Sequence, residues 1–293
     1  MSFHVRFVVC AMMILAASTL GAQEISDTQV FYAVAHTAGA GDPPTQWRSD
    51  VTLHNLQGVP ITVGLQFFEW GVPNQFDTTF PVRVTLGPRE TRTFEDVVAT
   101  LFGRTGNVAG TLIAACSSDF LPTNPSDAVM VGSSRTYNIG SPAGTYGQSV
   151  PATDRLRNCW GTASYVTGAR NDARFRSNLG IINASFGANT VHYRIRRGNG
   201  AVVAEGSKHL GMLTGNQWSF ASLGVPKLSQ PLTVELWLDP ADVFPGGCSP
   251  EGEQNCFVAY VSKADGNPSG TGDAEFLMAT PTDEPVDCVE GDR

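Results

Sequence analysis

The chain has 293 residues, of which 42% are hydrophobic and 16% charged, and 19 Lys and Arg set against 27 Asp and Glu leave a net charge of −8. The charge is spread along the chain rather than blocked, which favours solubility and speaks against the Lys/Arg clusters that a phosphate backbone requires. No stretch approaches the ~18 consecutive apolar residues of a membrane helix, so neither a membrane span nor a nucleic-acid partner is expected.

The N-terminus, "MSFHVRFVVCAMMILAASTLGAQE", sets a short basic region (His4, Arg6) before an apolar run from Phe7 to Ala17 and then small and polar residues. This is the pattern of a signal peptide. It predicts residues 1–22 as a removable leader, cut after Ala22 or within a residue or two of it, because Leu20 is larger than usual three positions before the cut. A secreted, periplasmic or cell-surface setting follows, and the remaining length suits two ordinary domains.

The next elements are strands. "WRSDVTLHNLQGVPITVGLQFF" (47–68) alternates apolar and polar residues on either side of a turn, and "FRSNLGIINASFGANTVHYRIR" (175–196) repeats the design 128 residues later. Arg176 falls on Arg48, Ser177 on Ser49, Asn183 on Asn55, Thr190 on Thr62 and Val191 on Val63. The apolar positions share a phase: Val51, Leu53, Val63, Leu65 and Phe67 match Leu179, Ile181, Val191, Tyr193 and Ile195, one face of a strand in each case. Thr52, His54, His192, Arg194 and Arg196 should face water, with Phe68, Gly180 and Ile182 as exceptions. "NLQGVP" and "NASFGAN" read as hairpin connections, with Asn55 and Asn183 placed to bind turn backbone groups. Strands are also predicted over Val82–Leu86, Gly110–Ala115, Val129–Ser134, Ala201–Glu205, Leu232–Leu238 and Phe257–Ser262. "TFEDVVATLFG" (93–103) reads as one helical turn, with Glu95 and Asp96 suited to its positive end and Gly103 ending it. "FASLGVP" (220–226) is its shortened counterpart. The same offset sets "VMVGSSRTYN" (129–138) over "FVAYVSKADG" (257–266).

Two blocks in one register point to a duplicated domain, and two copies are too few for a solenoid, so each must hold its own core. The expected fold is all-β: two tandem antiparallel immunoglobulin-like β-sandwiches, over 23–152 and 153–279, with an acidic, Pro-containing tail over 280–293. The segment between the units is expected to pack on the first one. The elements "RSDVTLHN", "FEDVVATLFG", "SSRTYN", "GTYGQSVPA", "FRSNLGIIN" and "AYVSKADGN" resemble a group of uncharacterised secreted bacterial proteins with tandem immunoglobulin-like sandwiches. The resemblance covers about Phe31 to Phe276 and implies a fold and an extracellular setting, with no catalytic residue to carry over.

Cys10 leaves with the leader, and exported cysteines are read as disulfides by default. Cys248 and Cys256 close the polar loop "CSPEGEQNC" and form the favoured pair; Cys116 with Cys159 is the second. Cys288 is left over, and a free thiol, an intermolecular bridge and an exchange with one of these partners all stay open.

The chemistry-bearing motifs are sparse. His36, His54, His192 and His209 form no HExxH, no GxSxG elbow occurs, and no glycine-rich loop carries a lysine and helix. Neither catalytic residues nor a cofactor are expected. "DGNPSGTGD" places Asp265, Asn267, Ser269 and Asp273 at positions of a calcium loop, yet its twelfth place is Phe276, and a polar turn is the favoured reading. Trp70, Tyr137 and Tyr146 lie in or beside turns and are the candidate binding residues, able to stack on a sugar or anchor a protein; Trp47, Trp160, Trp218 and Trp237 read as core or interdomain residues. The expectation is a non-enzymatic structural or binding protein with an unknown protein or glycan partner, engaged through loops or strand edges. A carbohydrate- or calcium-assisted adhesion module and an extracellular hydrolase are the alternatives.

Overall fold

The computed structural model describes residues 24–39, 45–140, 144–153, 158–159, 163–185, 187–239, 256–265 and 274–282, with backbone alone at 158–159. The first unit comprises β1 (Ile25–Ser26), β2 (Thr28–Ala38), β3 (Gln46–Asn55), β4 (Ile61–Glu69), β5 (Val82–Leu86), β6 (Thr91–Phe94), the helical turn α1 (Val97–Thr100), β7 (Val108–Ala115), β8 (Met130–Asn138) and β9 (Tyr146–Pro151). The second comprises β10 (Asn158–Cys159), β11 (Ser164–Asn171), β12 (Phe175–Asn183), β13 (Asn189–Arg197), β14 (Val202–Leu210), β15 (Gly215–Ser219), β16 (Leu228–Leu238), β17 (Cys256–Asp265), β18 (Ala274–Met278) and β19 (Thr280–Pro281).

The strands of each unit form two antiparallel layers. In the first, β6-β3-β8-β9 faces β2-β7-β4-β5, and the end of β2 also pairs with β3, joining the layers. In the second, β15-β12-β17-β18 faces β11-β16-β13-β14. Strand for strand, β2 to β9 correspond to β11 to β18, so the duplication read from the sequence is a duplication of topology. The architecture is the two-layer immunoglobulin-like sandwich, with one exchange. Counting from β2 and β11, the second strand pairs with the fifth and the third with the sixth, as in immunoglobulins. The first strand, however, lies beside the sixth and the seventh beside the second. The strand β19 pairs with β11 and carries the second unit into the segment expected to be a tail.

The alternation does what it implies. Val51, Leu53, Val63 and Leu65 are sealed in the core of the first unit; Leu179, Ile181, Val191 and Ile195 are sealed in that of the second. Each such side chain stabilises the fold by ~1.5–3 kcal/mol through burial. His54, His192, Arg194 and Arg196 lie on the outer faces.

One expectation is corrected. "NLQGVP" and "NASFGAN" are not hairpins, because β3 and β4 lie in opposite layers, as do β12 and β13. Both connections arch across the core. Alternation turns the same apolar stripe inward whether two successive strands pair side by side or face each other, so periodicity alone does not separate the two cases. A second correction concerns α1. Its start, Asp96, has φ 44° and makes no side-chain cap, so its carboxylate serves another purpose, described below.

A third apolar cluster joins the units. Val30, Tyr32, Ala33 and Val150 of the first pack with Ile182, Val258 and Tyr260 of the second. This explains two sequence exceptions. Ile182 is apolar on an outer face because that face is covered, and Gly180 has no side chain because a Cβ there would lie 2.1 Å from the Tyr260 ring. The third exception, Phe68, is covered by the loop after β4, where Phe76 stacks on it at 6.4 Å. Polar contacts complete the joint: Ser262 Oγ donates to Gln148 Oε1 at 2.9 Å and Asn74 Nδ2 to the Leu213 carbonyl at 3.0 Å. The segment after β8 is held as expected, since β9 pairs with β8 and Thr153 bridges to Val30.

Candidate binding site at the loop end of the first unit

Titratable and aromatic groups of the first unit converge where β2 ends, β3 begins and β8 gives way to β9. Strand pairing does the assembly. In the β2–β3 register His36 stands opposite Arg48, and in the β3–β8 register Arg48 stands opposite Tyr137 and Asp50 opposite Arg135. Tyr146 begins β9 opposite Asn138.

Asp96 is the hub. Its carboxylate takes His36 Nδ1 at 2.9 Å and Arg48 Nε at 3.4 Å. Its left-handed backbone aims its N–H at Asp50 Oδ1, 2.9 Å away. That same Asp50 oxygen accepts the Tyr137 hydroxyl at 3.0 Å. Burial, then the hydrogen bond to Asp50 and the charges of Asp50, Asp96 and Glu95, push the Tyr137 phenol up to about 12, so it remains a donor. Above this base lies a more open layer. The Arg135 guanidinium sits 5.0 Å over the Tyr137 ring and reaches Thr145 Oγ1 at 3.3 Å. On the other face of the sheet, Trp47 and Tyr146 meet edge to face, centroids 6.1 Å apart.

Two candidate binding residues, Tyr137 and Tyr146, lie at the same loop end but on opposite faces of the β8–β9 ladder. The third lies elsewhere. Trp70 is half-buried at the joint between units: its ring centroid lies 6.5 Å from that of Tyr260 and its Nε1 donates to Thr111 Oγ1 at 3.2 Å. It is not the exposed platform a sugar-stacking role requires. The residues missed in the sequence are His36, Arg48, Asp50 and Asp96. They are scattered over three elements and share no local signal in the sequence.

Of the calcium-like spacing, only Asp265 is described; Asn267, Ser269 and Asp273 lie outside the described residues. Asp265 Oδ2 accepts Arg174 Nε at 2.9 Å and Nη2 at 2.8 Å, so an internal cation already occupies this carboxylate. Among the described residues no group of three metal-ligating side chains converges.

The expected Cys116–Cys159 bridge is a correction. Cys116 is a free thiol sealed in the core of the first unit, whereas Cys159 belongs to β10, paired with β17 of the second. Two separate cores set them apart. Cys256 is disulfide-bonded and stands opposite Cys159 in the ladder; Cys248 and Cys288 lie outside the described residues.

Fold and site together define a class: tandem, duplicated antiparallel sandwiches with a polar–aromatic cluster at a loop end. No family model and no curated protein matches the chain. Among solved structures it is similar to a β-glucuronidase from glycoside hydrolase family 2, at 12% identity, over 86% of this chain and 25% of that one, with a TM-score of 0.14. The chain spans a quarter of that structure's length, and a likeness this weak carries no argument.

Proposed function

We propose that the chain is an exported, non-enzymatic binding protein, a jointed pair of sandwiches that engages a partner at the cell surface or in the extracellular matrix through the loop end of its first unit. The leader-like residues 1–22 support export. The observation that carries the binding reading is the layering of the site. Its half-buried acids are committed to internal partners, Asp96 to His36 and Arg48 and Asp50 to Tyr137. Arg135 lies exposed over the Tyr137 ring on the same face, and the half-exposed Trp47 and Tyr146 flank this loop end from the other face of the sheet; these are residue types that anchor partners when held rigid.

The test is co-sedimentation of the purified mature chain with cell-envelope or matrix material, comparing wild type with the double variant Arg135→Ala/Tyr146→Ala, both checked for unchanged melting temperature. Saturable binding that falls about tenfold in the double variant is expected. Binding indifferent to both substitutions, or turnover of a polysaccharide or ester substrate by the wild type, overturns the reading.

A further inference from the structure

The second unit carries a different site at the corresponding end. Phe175 takes the place of Trp47, and in the ladder Asp265 takes that of Asn138 and Lys263 that of Thr136. An open recess of about 510 Å³ lies there, its lining including Arg170, Asp172, Arg174, Phe175, Lys227 and Leu228. Arg170 and Arg174 hold their guanidinium carbons 5.0 and 5.1 Å from the Phe175 centroid, and Lys263 Nζ stands 5.7 Å from it. Cation–π contact helps to fix these cations, and part of their N–H capacity is taken internally: Arg170 Nε by Asp172, Arg174 Nε and Nη2 by Asp265, and Lys263 by Glu275.

We propose that this recess binds the carboxylate or sulfate groups of an acidic polysaccharide. It stands on residues separate from the loop end of the first unit, so either site can fail without the other.

The charges are arranged for it. The carboxylates that balance the two arginines are turned inward: the side chains of Asp172 and Asp265 are 12% and 11% exposed, whereas that of Arg174 is 71% exposed. The Lys263 side chain is itself only 13% exposed and is paired with Glu275. Asp172 Oδ1 is taken by the Arg174 and Phe175 N–H groups at 2.8 and 2.7 Å, and its Oδ2 by Arg170. Lys227 extends over the rim, bonded only to the Asp172 carbonyl at 2.9 Å among the contacts described. An approaching anion meets donors first, on a chain whose net charge of −8 repels polyanions elsewhere. The Nη1 groups of Arg170 and Arg174, outside the edges taken by Asp172 and Asp265, and Lys227 Nζ are the donors a carboxylate or a sulfate meets alike.

The body of the ligand follows from the walls. Ala173, Leu228 and the edge of Phe175 offer apolar atoms beside the donors, as the C–H face of a sugar ring requires. A peptide adding itself as a strand lacks an edge here, since Asn171 and Leu228 already pair with each other. The open shape admits a chain running through.

The experiment is affinity electrophoresis and titration calorimetry of the mature chain against polygalacturonate, sulfated dextran, neutral dextran, poly-glutamate and single-stranded DNA. Retardation by polygalacturonate or sulfated dextran, weakening with salt, is expected, and the stronger of the two identifies the anionic group. Lys227→Glu and Arg174→Gln should each weaken it at least tenfold, while Arg104→Glu, the same charge reversal on an exposed residue outside both sites, leaves it unchanged. Lys227 is exposed on the rim, so its variant keeps the fold if Arg174→Gln does not. Equal retardation of wild type and Lys227→Glu, equal binding of neutral dextran, or stronger binding of poly-glutamate or DNA overturns the assignment.

Discussion

Asn55 and Asn183 make four equivalent hydrogen bonds in the two units, and Asn183 Oδ1 accepts a fifth from Asn189 Nδ2 at 2.9 Å. Asn55 Nδ2 donates to the carbonyls of Val59, Leu86 and Gly87 at 2.9, 3.4 and 2.8 Å, and its Oδ1 accepts the Gln57 N–H at 2.7 Å. Asn183 Nδ2 donates to those of Gly187, Leu210 and Gly211 at 2.7, 3.4 and 2.7 Å, and its Oδ1 accepts the Ser185 N–H at 3.0 Å. Both side chains are fully buried. Each closes the arch that carries the chain from one layer to the other and ties it to the end of the next strand pair.

The asparagine must therefore be both donor and acceptor, which makes the response to substitution specific. Removing it strands buried carbonyls and an N–H, at ~1–3 kcal/mol. Asn55→Ala and Asn183→Ala should each lower stability by about 2 kcal/mol. Asn183→Asp, nearly the same shape, should cost more than Ala at neutral pH, because it turns a carboxylate oxygen toward the Gly187 and Gly211 carbonyls. Urea denaturation at pH 7 checks both; an Asp variant as stable as wild type contradicts the donor assignment.

Trp70 tests the joint. If its indole serves the contact with Tyr260 and Thr111, Trp70→Ala should cost about 1–2 kcal/mol and loosen the two units. Small-angle scattering should then give a larger radius of gyration for the variant, with retention on polysaccharide unchanged. A lost ligand with an unchanged radius would return Trp70 to the role of an exposed platform.

These residues also mark what was legible in the sequence. The stripes Val51/Leu53 and Leu179/Ile181 were visible because strand side chains alternate with a fixed period. The two-unit organisation was visible because the duplication kept its register, and Asn55 and Asn183 because it kept their identity. Partnership across layers was not legible. Periodicity records which way a side chain points but not which strand lies beside it, so the arches read as hairpins and the exchange of first and seventh strands left no trace. Gly180 and Ile182 broke the alternation, and the structure shows that a broken stripe marks a second covered face. The polar cluster escaped for a related reason: His36, Arg48 and Asp96 meet only through the β2–β3 register and the left-handed turn at Asp96, and neither has a local signature.

Asp172 gives the protein an acid-side dependence. Its carboxyl is held below the usual carboxylate range, first by the Phe175 N–H, then by the Arg174 N–H and by Arg170, against a smaller desolvation cost. A folded pKa below the unfolded one means full stabilisation at neutral pH, fading as pH falls through the folded value. Asp172→Asn should therefore be less stable than wild type at pH 7, and the gap should narrow steadily below about pH 4. Urea midpoints of both proteins between pH 7 and pH 2.5 measure it. A gap that stays constant would place the effect in packing rather than in charge.

The thiol of Cys116 gives the opposite, alkaline dependence. It lies in the core of the first unit, where burial, reinforced by the charge of Asp27, pushes its pKa up to about 12. The thiolate is the nucleophile, so the native side chain is protected twice, by protonation and by lack of access. Iodoacetamide at pH 8.5 should leave Cys116 unlabelled in the native protein and modify it fully in guanidinium chloride, as read by peptide mapping. In the unfolded chain the same thiol ionises near pH 8.5. The stabilisation it carries is therefore complete below that pH and is lost as pH rises toward the folded value. Cys116→Ala removes the ionisable group while opening a space of about one sulfur atom, so it should cost roughly 1 kcal/mol at pH 7 and less at pH 10. Native labelling of Cys116, or loss of the fold on reduction together with loss of the free thiol on oxidation, would show that it takes part in a bridge after all.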